Sequence, residues 1–548
     1  MNIMTKPPEP QVLEIAIPKR IALCNPPSNF LTDQRVFINL GILKVASSLE
    51  ERGTIVHMLD CNGVPNYLQT TEAFARKTKA RRFGFTATTP QLPQTVKMIK
   101  RVRKVRPDAI IILGGPHVTL AHAAWKKEQK NGIKNGRAAA AMRQFEKVAD
   151  VIVSGDGEDA IFAACHPNAP KIIDADIIGG QFFLTDDRLD KTLWPARHLV
   201  DVDSYRYTID GAPALSLIAQ LGCPYGCGFC GGRNTRMLRK IRTRSDENIL
   251  AEMEHLWHIR GKPSLMGFMF YDDELNVNPE VVRLMRGIRA LQDKLSKEAG
   301  YWVRFRLRGF IKSNRFTDEQ AAAMFEAGFR WILIGFESGS EKILTNINKA
   351  ATRAQNTRCI EIAKRHGLKV KALMSIGHPG ESPETIEETH QWLREMAEIM
   401  NTREEKNFDF DLTVITAYLG TPYYDEAIRN PALSDKLGME IWTYRFKLKN
   451  GEMSEPLHQI ALDYTKSVAN YKGKPGEYKA YVFTDTLTPE QIVELRDKIE
   501  VSVRAEFGIS ANQGLAAKRY EHSMGMGQDG KLPPHILRSS KKIKALAA

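Results

Sequence analysis

The first third of the chain alternates short apolar runs with stretches of helical spacing. Arg20–Cys24 is a continuous apolar run that ends at Asn25-Pro26-Pro27, so it predicts a strand entering a loop. Leu40–Arg52 has apolar residues at helical spacing and stops at Gly53. Thr54–Leu59 predicts a second strand, ending at Asp60, and Phe83–Thr86 a third, followed by Thr88-Thr89-Pro90. A helix is predicted through Thr95–Val105. Ala109–Leu113 and Val151–Val153 predict two more strands, the first leading into Gly114-Gly115-Pro116-His117 and the second into Gly155-Asp156-Gly157-Glu158. Strands without polar alternation are buried on both faces, so the pattern predicts a doubly wound, Rossmann-like parallel sheet. Ligands of such sheets bind at the carboxyl ends of the strands, where these clusters fall. The basic, Ala-rich Asn131–Gln144 reads as an insertion, and Asp174–Arg206 as a linker broken at Trp194-Pro195.

The middle third repeats the alternation. Strands are predicted at Leu215–Leu221, Leu265–Tyr271, Trp302–Leu307, Trp331–Phe336, Val370–Ile376 and Leu412–Ala417. Helical patterns lie between them, at Ser245–Trp257, Asp318–Ala327 and Thr352–Arg365, with stops at Gly328 and Gly367. Six strand–helix units predict a partial (β/α)6 barrel, with functional residues where strands end. After Tyr423 the periodicity weakens, apart from a helical stretch at Pro489–Phe507. The division expected is a sheet domain over 1–173, a linker over 174–206, a barrel over 207–425, and a small, mostly helical auxiliary region with a basic tail over 426–548.

The length, 548 residues, suits two or three domains, and 43% hydrophobic with 26% charged residues suits a folded, water-soluble chain. No apolar run approaches the roughly 20 residues that span a bilayer. Met1–Pro10 lacks the apolar core of a secretory signal, so a cytoplasmic protein without membrane contact is expected. Lys and Arg number 78 against 64 Asp and Glu, a net charge of +14. That admits an anionic substrate or nucleic acid, but part of it lies in the tail, at Arg538, Lys541, Lys542 and Lys544.

Three of the seven cysteines crowd into Gly222-Cys223-Pro224-Tyr225-Gly226-Cys227-Gly228-Phe229-Cys230, and the others, Cys24, Cys61, Cys165 and Cys359, are scattered. Thiolates are the ligands of iron–sulfur clusters, and closely spaced cysteines in a glycine-rich loop can wrap a compact inorganic core. Three ligands leave one iron of a cubane open for a substrate or cofactor. A structural zinc site would want a fourth Cys or His close by, and the next His is His255.

Cys-x3-Cys-x2-Cys with the aromatic Phe229 before the last Cys, after the first strand of a barrel, resembles the signature of the radical S-adenosylmethionine superfamily. The resemblance implies a [4Fe-4S] cluster on Cys223, Cys227 and Cys230. S-adenosylmethionine would chelate the open iron and yield a 5′-deoxyadenosyl radical on reduction. It extends to Tyr271-Asp272-Asp273-Glu274, to Gly335-Phe336-Glu337-Ser338-Gly339-Ser340 and to Gly377-His378-Pro379-Gly380-Glu381, each at a strand end. Phe229, Asp272, Asp273, Glu337, Ser338, Gly377 and Pro379 are the cofactor-binding residues it implies. It also implies a reducing partner such as flavodoxin or ferredoxin.

A doubly wound domain in front of such a barrel resembles the cobalamin-binding members of that superfamily. The resemblance spans roughly residues 20–425. It places Asn25, Pro26, Asp60, Thr86, Thr88, Gly114, Gly115, His117, Gly155, Gly157 and Glu158 at the cobalamin site. The Asp-x-His-x-x-Gly loop by which many cobalamin proteins ligate cobalt is absent, and His117 stands at a different strand, so cobalt without a protein His below is expected.

In Trp302-Val303-Arg304-Phe305-Arg306-Leu307-Arg308 the three arginines share one strand face. Facing the lumen, they could hold carboxylates or phosphates, with Arg308 the residue assigned to the cofactor. The activity implied is a cobalamin-dependent radical methyltransferase that methylates an unactivated carbon of a small molecule or peptide, an anionic one included. Alternatives are a cobalamin-binding radical cyclase or oxidoreductase without methyl transfer, and an RNA-modifying radical enzyme. The scattered cysteines show no second cluster spacing and the tail no nucleic-acid motif.

Overall fold

The computed structural model describes residues 12–28, 34–134, 136–415, 419–423, 441–444, 457–460, 486–509 and 537–539. The amino-terminal part runs β1 (Arg20–Asn25), α1 (Leu40–Glu51), β2 (Ile55–Asp60), α2 (Tyr67–Lys77), β3 (Arg82–Thr86), α3 (Leu92–Val105), β4 (Ile110–Gly114), α4 (Pro116–Lys130), α5 (Arg137–Val148), β5 (Val151–Gly155), α6 (Gly157–Ala164) and β6 (Ile172–Ala175). The strands pair in the order β2-β1-β3-β4-β5-β6, all parallel. Strands this apolar must be covered on both faces. One face is covered by α1 and α6, through Leu43, Leu49 and Phe162, and the other by α2, α3 and α5, through Phe74, Ile99 and Phe145.

Two expectations change here. Residues 131–144 are not an insertion. They hold most of α5, whose Ala138, Met142 and Phe145 are buried under β4 and β5, so an alanine-rich run supplies a thin, close-packed helix face. Residues 174–206 are not a loose linker. They form a strap containing α7 (Asp186–Lys191), with Leu184, Leu189 and Leu199 buried. Arg197 pins the strap to the second part of the chain, through Glu252 of the helix over 246–259, at 2.6 Å, and the Ser216 carbonyl of its first long strand, at 2.7 Å.

The second part runs β7 (Thr208–Ile209), β8 (Ala212–Leu217), β9 (Gln220–Leu221), β10 (Arg242–Thr243), α8 (Asp246–Ile259), β11 (Leu265–Phe270), α9 (Val281–Ala299), β12 (Arg304–Phe310), α10 (Asp318–Ala327), β13 (Phe329–Glu337), α11 (Glu341–Asn346), α12 (Arg353–Arg365), β14 (Lys369–Ile376), α13 (Pro383–Met400) and β15 (Phe408–Val414). Strands β8 and β11 to β15 form a six-stranded parallel sheet, the expected partial barrel, and β7 adds an antiparallel edge beside β8. Helix starts follow local chemistry: the Ser245, Thr317 and Thr352 side chains accept from the amides three residues on, and Gly328 closes α10 in the left-handed region. Val303, Phe305 and Leu307 are fully buried toward the helices, as the alternation predicts. Truncating Phe305 to Ala would cost about 3–5 kcal/mol.

Beyond Tyr423 the described residues form β16 (Ile441–Tyr444) and β17 (Leu457–Ile460), an antiparallel pair, then α14 (Pro489–Phe507) and β18 (Leu537–Ser539), which pairs antiparallel with β2. The helix at 489–507 is the one expected, whereas the strands had no readable signal. The remainder of the auxiliary region and basic tail lies outside the described residues.

Candidate functional site

The cysteine loop leaves β9, and its shape is imposed by its neighbours. Asp272, fully buried, accepts from the Ala219 amide at 3.0 Å and from the Gln220 amide, which fixes the bend before the loop. The Cys223 amide donates to the Leu238 carbonyl at 2.8 Å and the Gly228 amide to the Ile347 carbonyl at 3.0 Å. Asn348 Nδ2 reaches the Gly226 carbonyl at 3.1 Å. Tyr225 lies between two cations, with Lys312 Nζ 4.6 Å from its ring centroid and Arg315 Nε 2.6 Å from its hydroxyl. Burial pushes the Cys223 thiol up to about 12. It raises Cys227 as well, where Lys349 and Lys312 pull the other way.

Across the mouth of the barrel, Glu337 ends β13 in the left-handed region, at φ 68°, where a register shift interrupts its pairing with β14. A strained residue at a sheet end is a mark of a functional turn. Its carboxylate accepts from Lys349 Nζ at 3.0 Å and from Ser375 Oγ at 3.0 Å. Burial opposes its charge, but Lys349 outweighs it and holds the carboxyl below its ordinary value. Burial and Lys349 bring Lys312 down to about 8, and burial pushes Glu274 up to about 7. Ser338 hydrogen-bonds Thr389 at 3.0 Å. Glu381 accepts from the Gly377 and His378 amides at 2.5 and 2.9 Å, which shapes the Gly377–Pro379 turn. Asp273 is exposed at the mouth, and Phe229 is half-buried beside His378 and Tyr423. Arg308 is buried on the lumen face, 3.3 Å from the Tyr207 hydroxyl.

At the carboxyl ends of the first sheet, the residues singled out from sequence separate into two groups. Thr86, Thr88, Gly114 and Gly115 line a partly open edge with Thr89, Pro116 and Leu120, although the Thr88 hydroxyl donates to Gln91 Oε1 at 2.9 Å. The others are consumed by the protein. Asn25 donates to Asp60 at 3.0 Å, and Asp60 also accepts from Arg35 and the Tyr205 hydroxyl, both at 2.7 Å. Pro26 is buried, and its carbonyl accepts from Gln91 Nε2 at 2.7 Å. His117 is 1% exposed; its Nδ1 meets Thr89 Oγ1 at 2.9 Å and its ring packs edge-on against Phe145. Gly157 packs close to Val45, and Glu158 lies near Lys44. Gly155 backs onto Ala175, and Asp156 beside it turns to the second domain.

The two edges face each other. Leu120 of α4 packs against Gly231, immediately after Cys230, and against Gly420. Residues 31–146 match the family model described as B12 binding domain, and residues 217–393 match the Radical SAM superfamily. This chain belongs to the cobalamin-binding radical S-adenosylmethionine enzymes.

Among similar proteins, an uncharacterized methyltransferase of Pyrococcus horikoshii is 24% identical over 64% of this chain and 70% of its own length. The anaerobic magnesium-protoporphyrin IX monomethyl ester cyclase of Rubrivivax gelatinosus is 24% identical over 57% of this chain and 54% of its own, so the match takes in about half of that enzyme. The solved structure of the radical methyltransferase TsrM from Kitasatospora setae, with tryptophan and an S-adenosylmethionine analogue, superposes with a TM-score of 0.57 at 14% identity, covering 89% of this chain and all of that one. At that identity the likeness is one of fold.

The residues of this radical enzyme fit the cofactors its family uses. Three thiols lie on one loop with no described fourth ligand. Among the described residues, only Glu254, His258 and Glu298 bring three His, Cys, Asp or Glu ligand atoms within 4.8 Å of one another. Three thiols without a described fourth ligand suit an iron–sulfur core with one open iron better than a closed structural zinc site. At the first sheet, Thr86, Gly115 and Leu120 lie partly exposed along one edge, and a Cβ on Gly115 would meet Thr86 Oγ1 at 2.6 Å. That arrangement fits a large polar-rimmed ligand held by backbone and hydroxyls rather than by histidine.

Sequence reading missed Lys312, Lys349, Ser375, Tyr423 and Leu120. None stands in a recognisable spacing, because each reaches the site from a different element. The left-handed Asn348 and Ala350 beside Lys349 become visible only in the backbone.

Proposed function

We propose that this enzyme is a cobalamin-dependent methyltransferase that acts on an unactivated carbon of a small molecule or peptide. The observation that carries the reading is the contact of Leu120 with Gly231 and Gly420, which sets the open edge of the cobalamin-type sheet against the cysteine loop. A methyl source and a hydrogen-abstracting centre must both reach one substrate carbon, and adjacency of their sites is the geometry this requires.

When bound, the cluster, S-adenosylmethionine and cobalamin supply the radical and methyl-transfer chemistry, and the protein positions and shields them. Cys223, Cys227 and Cys230 would hold the cluster. Lys349, Glu337 and Ser375 present a fixed, buried array of charge and hydrogen-bonding groups at the mouth. Thr86, Thr88 and Gly115 would cradle the corrinoid. The substrate would enter the lumen, where Phe37 packs on Tyr207 and Tyr271, with ring centroids 5.0 and 4.9 Å apart. Arg308 on the same face suits an anionic group on the substrate. A reducing partner such as flavodoxin or ferredoxin would approach the outer side of the loop, where the exposed Arg239 donates to the Pro224 carbonyl at 3.1 Å and the exposed Arg315 holds Tyr225.

The second reading, radical cyclisation or oxidation without methyl transfer, draws on the cyclase relative. The test is product counting with methyl-labelled S-adenosylmethionine on the reconstituted enzyme. Methylation yields S-adenosylhomocysteine together with 5′-deoxyadenosine and a labelled product. Deoxyadenosine without S-adenosylhomocysteine would overturn the methyltransferase reading and support the second.

A further inference from the structure

We infer that Tyr423 is a positioning residue, joining the cysteine loop to Glu337 at the barrel mouth by a buried chain of hydrogen bonds. The inference rests on the reading that Cys223, Cys227 and Cys230 hold a cluster.

Tyr423 stands in the turn after β15 and is buried. Its amide donates to the Gly228 carbonyl at 3.1 Å, inside the cysteine loop. A Cβ on Gly228 would lie 2.5 Å from Tyr423 Cε1, so the ring occupies the space where a side chain between Cys227 and Cys230 would stand. Phe229 and His378 complete an aromatic shell, with Phe229–His378, His378–Tyr423 and Phe229–Tyr423 centroids 5.7, 6.1 and 6.4 Å apart.

The polar atoms of this shell form a line. Tyr423 Oη is 3.3 Å from His378 Nδ1, His378 Nε2 is 2.8 Å from Ser375 Oγ, and Ser375 Oγ is 3.0 Å from Glu337 Oε2. The directions follow from the proton inventory. Ionised Glu337 only accepts, so the single hydroxyl proton of Ser375 goes to it. Ser375 then accepts from His378 Nε2–H, which leaves Nδ1 of a neutral imidazole to accept from the Tyr423 hydroxyl. Full burial holds His378 neutral, down at about 4, as this arrangement requires. All three bonds therefore point the same way, an arrangement in which each strengthens the next. The line ends at the Glu337–Lys349 pair. Cluster potential responds to solvent exposure and to hydrogen bonding around the sulfurs. The ring of Tyr423 should therefore set the water exposure of the Cys227–Cys230 edge, and its hydroxyl the orientation of Glu337.

The test uses the full chain, reconstituted anaerobically with iron and sulfide. Three quantities are read: iron per chain, midpoint potential, and the change in the reduced-state electron paramagnetic resonance spectrum on adding S-adenosylmethionine. Tyr423→Phe should keep the iron and the potential but alter the S-adenosylmethionine-dependent change. Tyr423→Ala should also shift the potential. Leu419→Ala, a buried residue of the same turn, should leave both spectroscopic quantities at wild-type values. A Tyr423→Phe spectrum indistinguishable from wild type overturns the hydrogen-bond chain, and it decides the matter even where Tyr423→Ala fails to fold. A potential shift in Leu419→Ala equal to that in Tyr423→Ala overturns the role of the ring. Wild-type protein that takes up no cluster refutes the underlying cysteine reading instead.

Discussion

Asp156, just past the end of β5, is bound by the guanidinium of Arg242, which follows the cysteine loop, and both side chains are buried. Asp156 also accepts from the Leu184 amide at 2.9 Å, Arg242 donates to the Leu184 carbonyl at 3.1 Å, and the guanidinium lies 4.7 Å over Phe183. The pair thus joins the first sheet, the strap and the β9–β10 pair that flanks the cysteine loop at one point. Removing one partner strands the other charge in a buried site. Arg242→Ala should therefore destabilise the protein by about 3–5 kcal/mol. The double variant Asp156→Asn with Arg242→Met should lose less than the sum of the two single changes, as read from urea unfolding.

The four scattered cysteines are buried in packed elements, Cys359 in the core face of α12. Cys227→Ala should abolish the visible absorbance of the reconstituted cluster and reduce bound iron from about four per chain to background. Cys359→Ala should keep both. Equal iron in the two variants would remove the cysteine loop from the mechanism.

Gly115 has φ 99°, and a Cβ there would sit 2.6 Å from Thr86 Oγ1 and 2.7 Å from the Ala87 amide nitrogen. Gly53 shares the left-handed backbone, at φ 79°, but has nothing within 4 Å. Gly115→Ala should weaken hydroxocobalamin binding at least about tenfold, equivalent to about 1.4 kcal/mol, whereas Gly53→Ala should change it little. Binding titrations followed by absorbance separate loss of the cradle from simple backbone strain.

Arg239 and Arg315 put exposed positive charge beside the cysteine loop. Charge reversal at either position should raise the KM for flavodoxin several-fold and weaken its dependence on salt. Turnover driven by dithionite should be unaffected. A KM unchanged in both variants would move the reductant to another face.

Burial drives the His122 imidazole down to about 4 from its ordinary 6.5, with Asp174 raising it and Lys126 lowering it. His122 packs on Trp125 within α4. A depressed basic pKa means that the unfolded chain takes up the proton first. The stability contributed by neutral His122 is complete above pH 6.5 and falls away as pH drops toward 4, by on the order of 3 kcal/mol. His122→Phe should flatten this part of the pH dependence in thermal or urea unfolding. An unchanged slope would show that other groups dominate it.

What the chain determined by itself was local. Apolar runs without alternation announced the parallel strands, cap residues such as Thr352 announced helix starts, and the spacing of Cys223, Cys227 and Cys230 announced the family, because these signals lie within a few consecutive residues. The alternation at 303–308 even assigned each side chain its face. Tertiary structure alone decided which strand-end residues stay open and which are spent. Asn25, Asp60 and Asp156 stand in strand-end clusters that look like ligand sites in sequence, yet Asn25 donates to Asp60, and Arg35, Tyr205 and Arg242, 25 to 145 residues from the carboxylates they meet, take up the rest. Lys349, Ser375 and Tyr423 carry no motif and enter the site because the turn after α11, β14 and the turn after β15 converge there. A buried polar group must find a partner, and only the folded backbone determines which one comes within 3 Å.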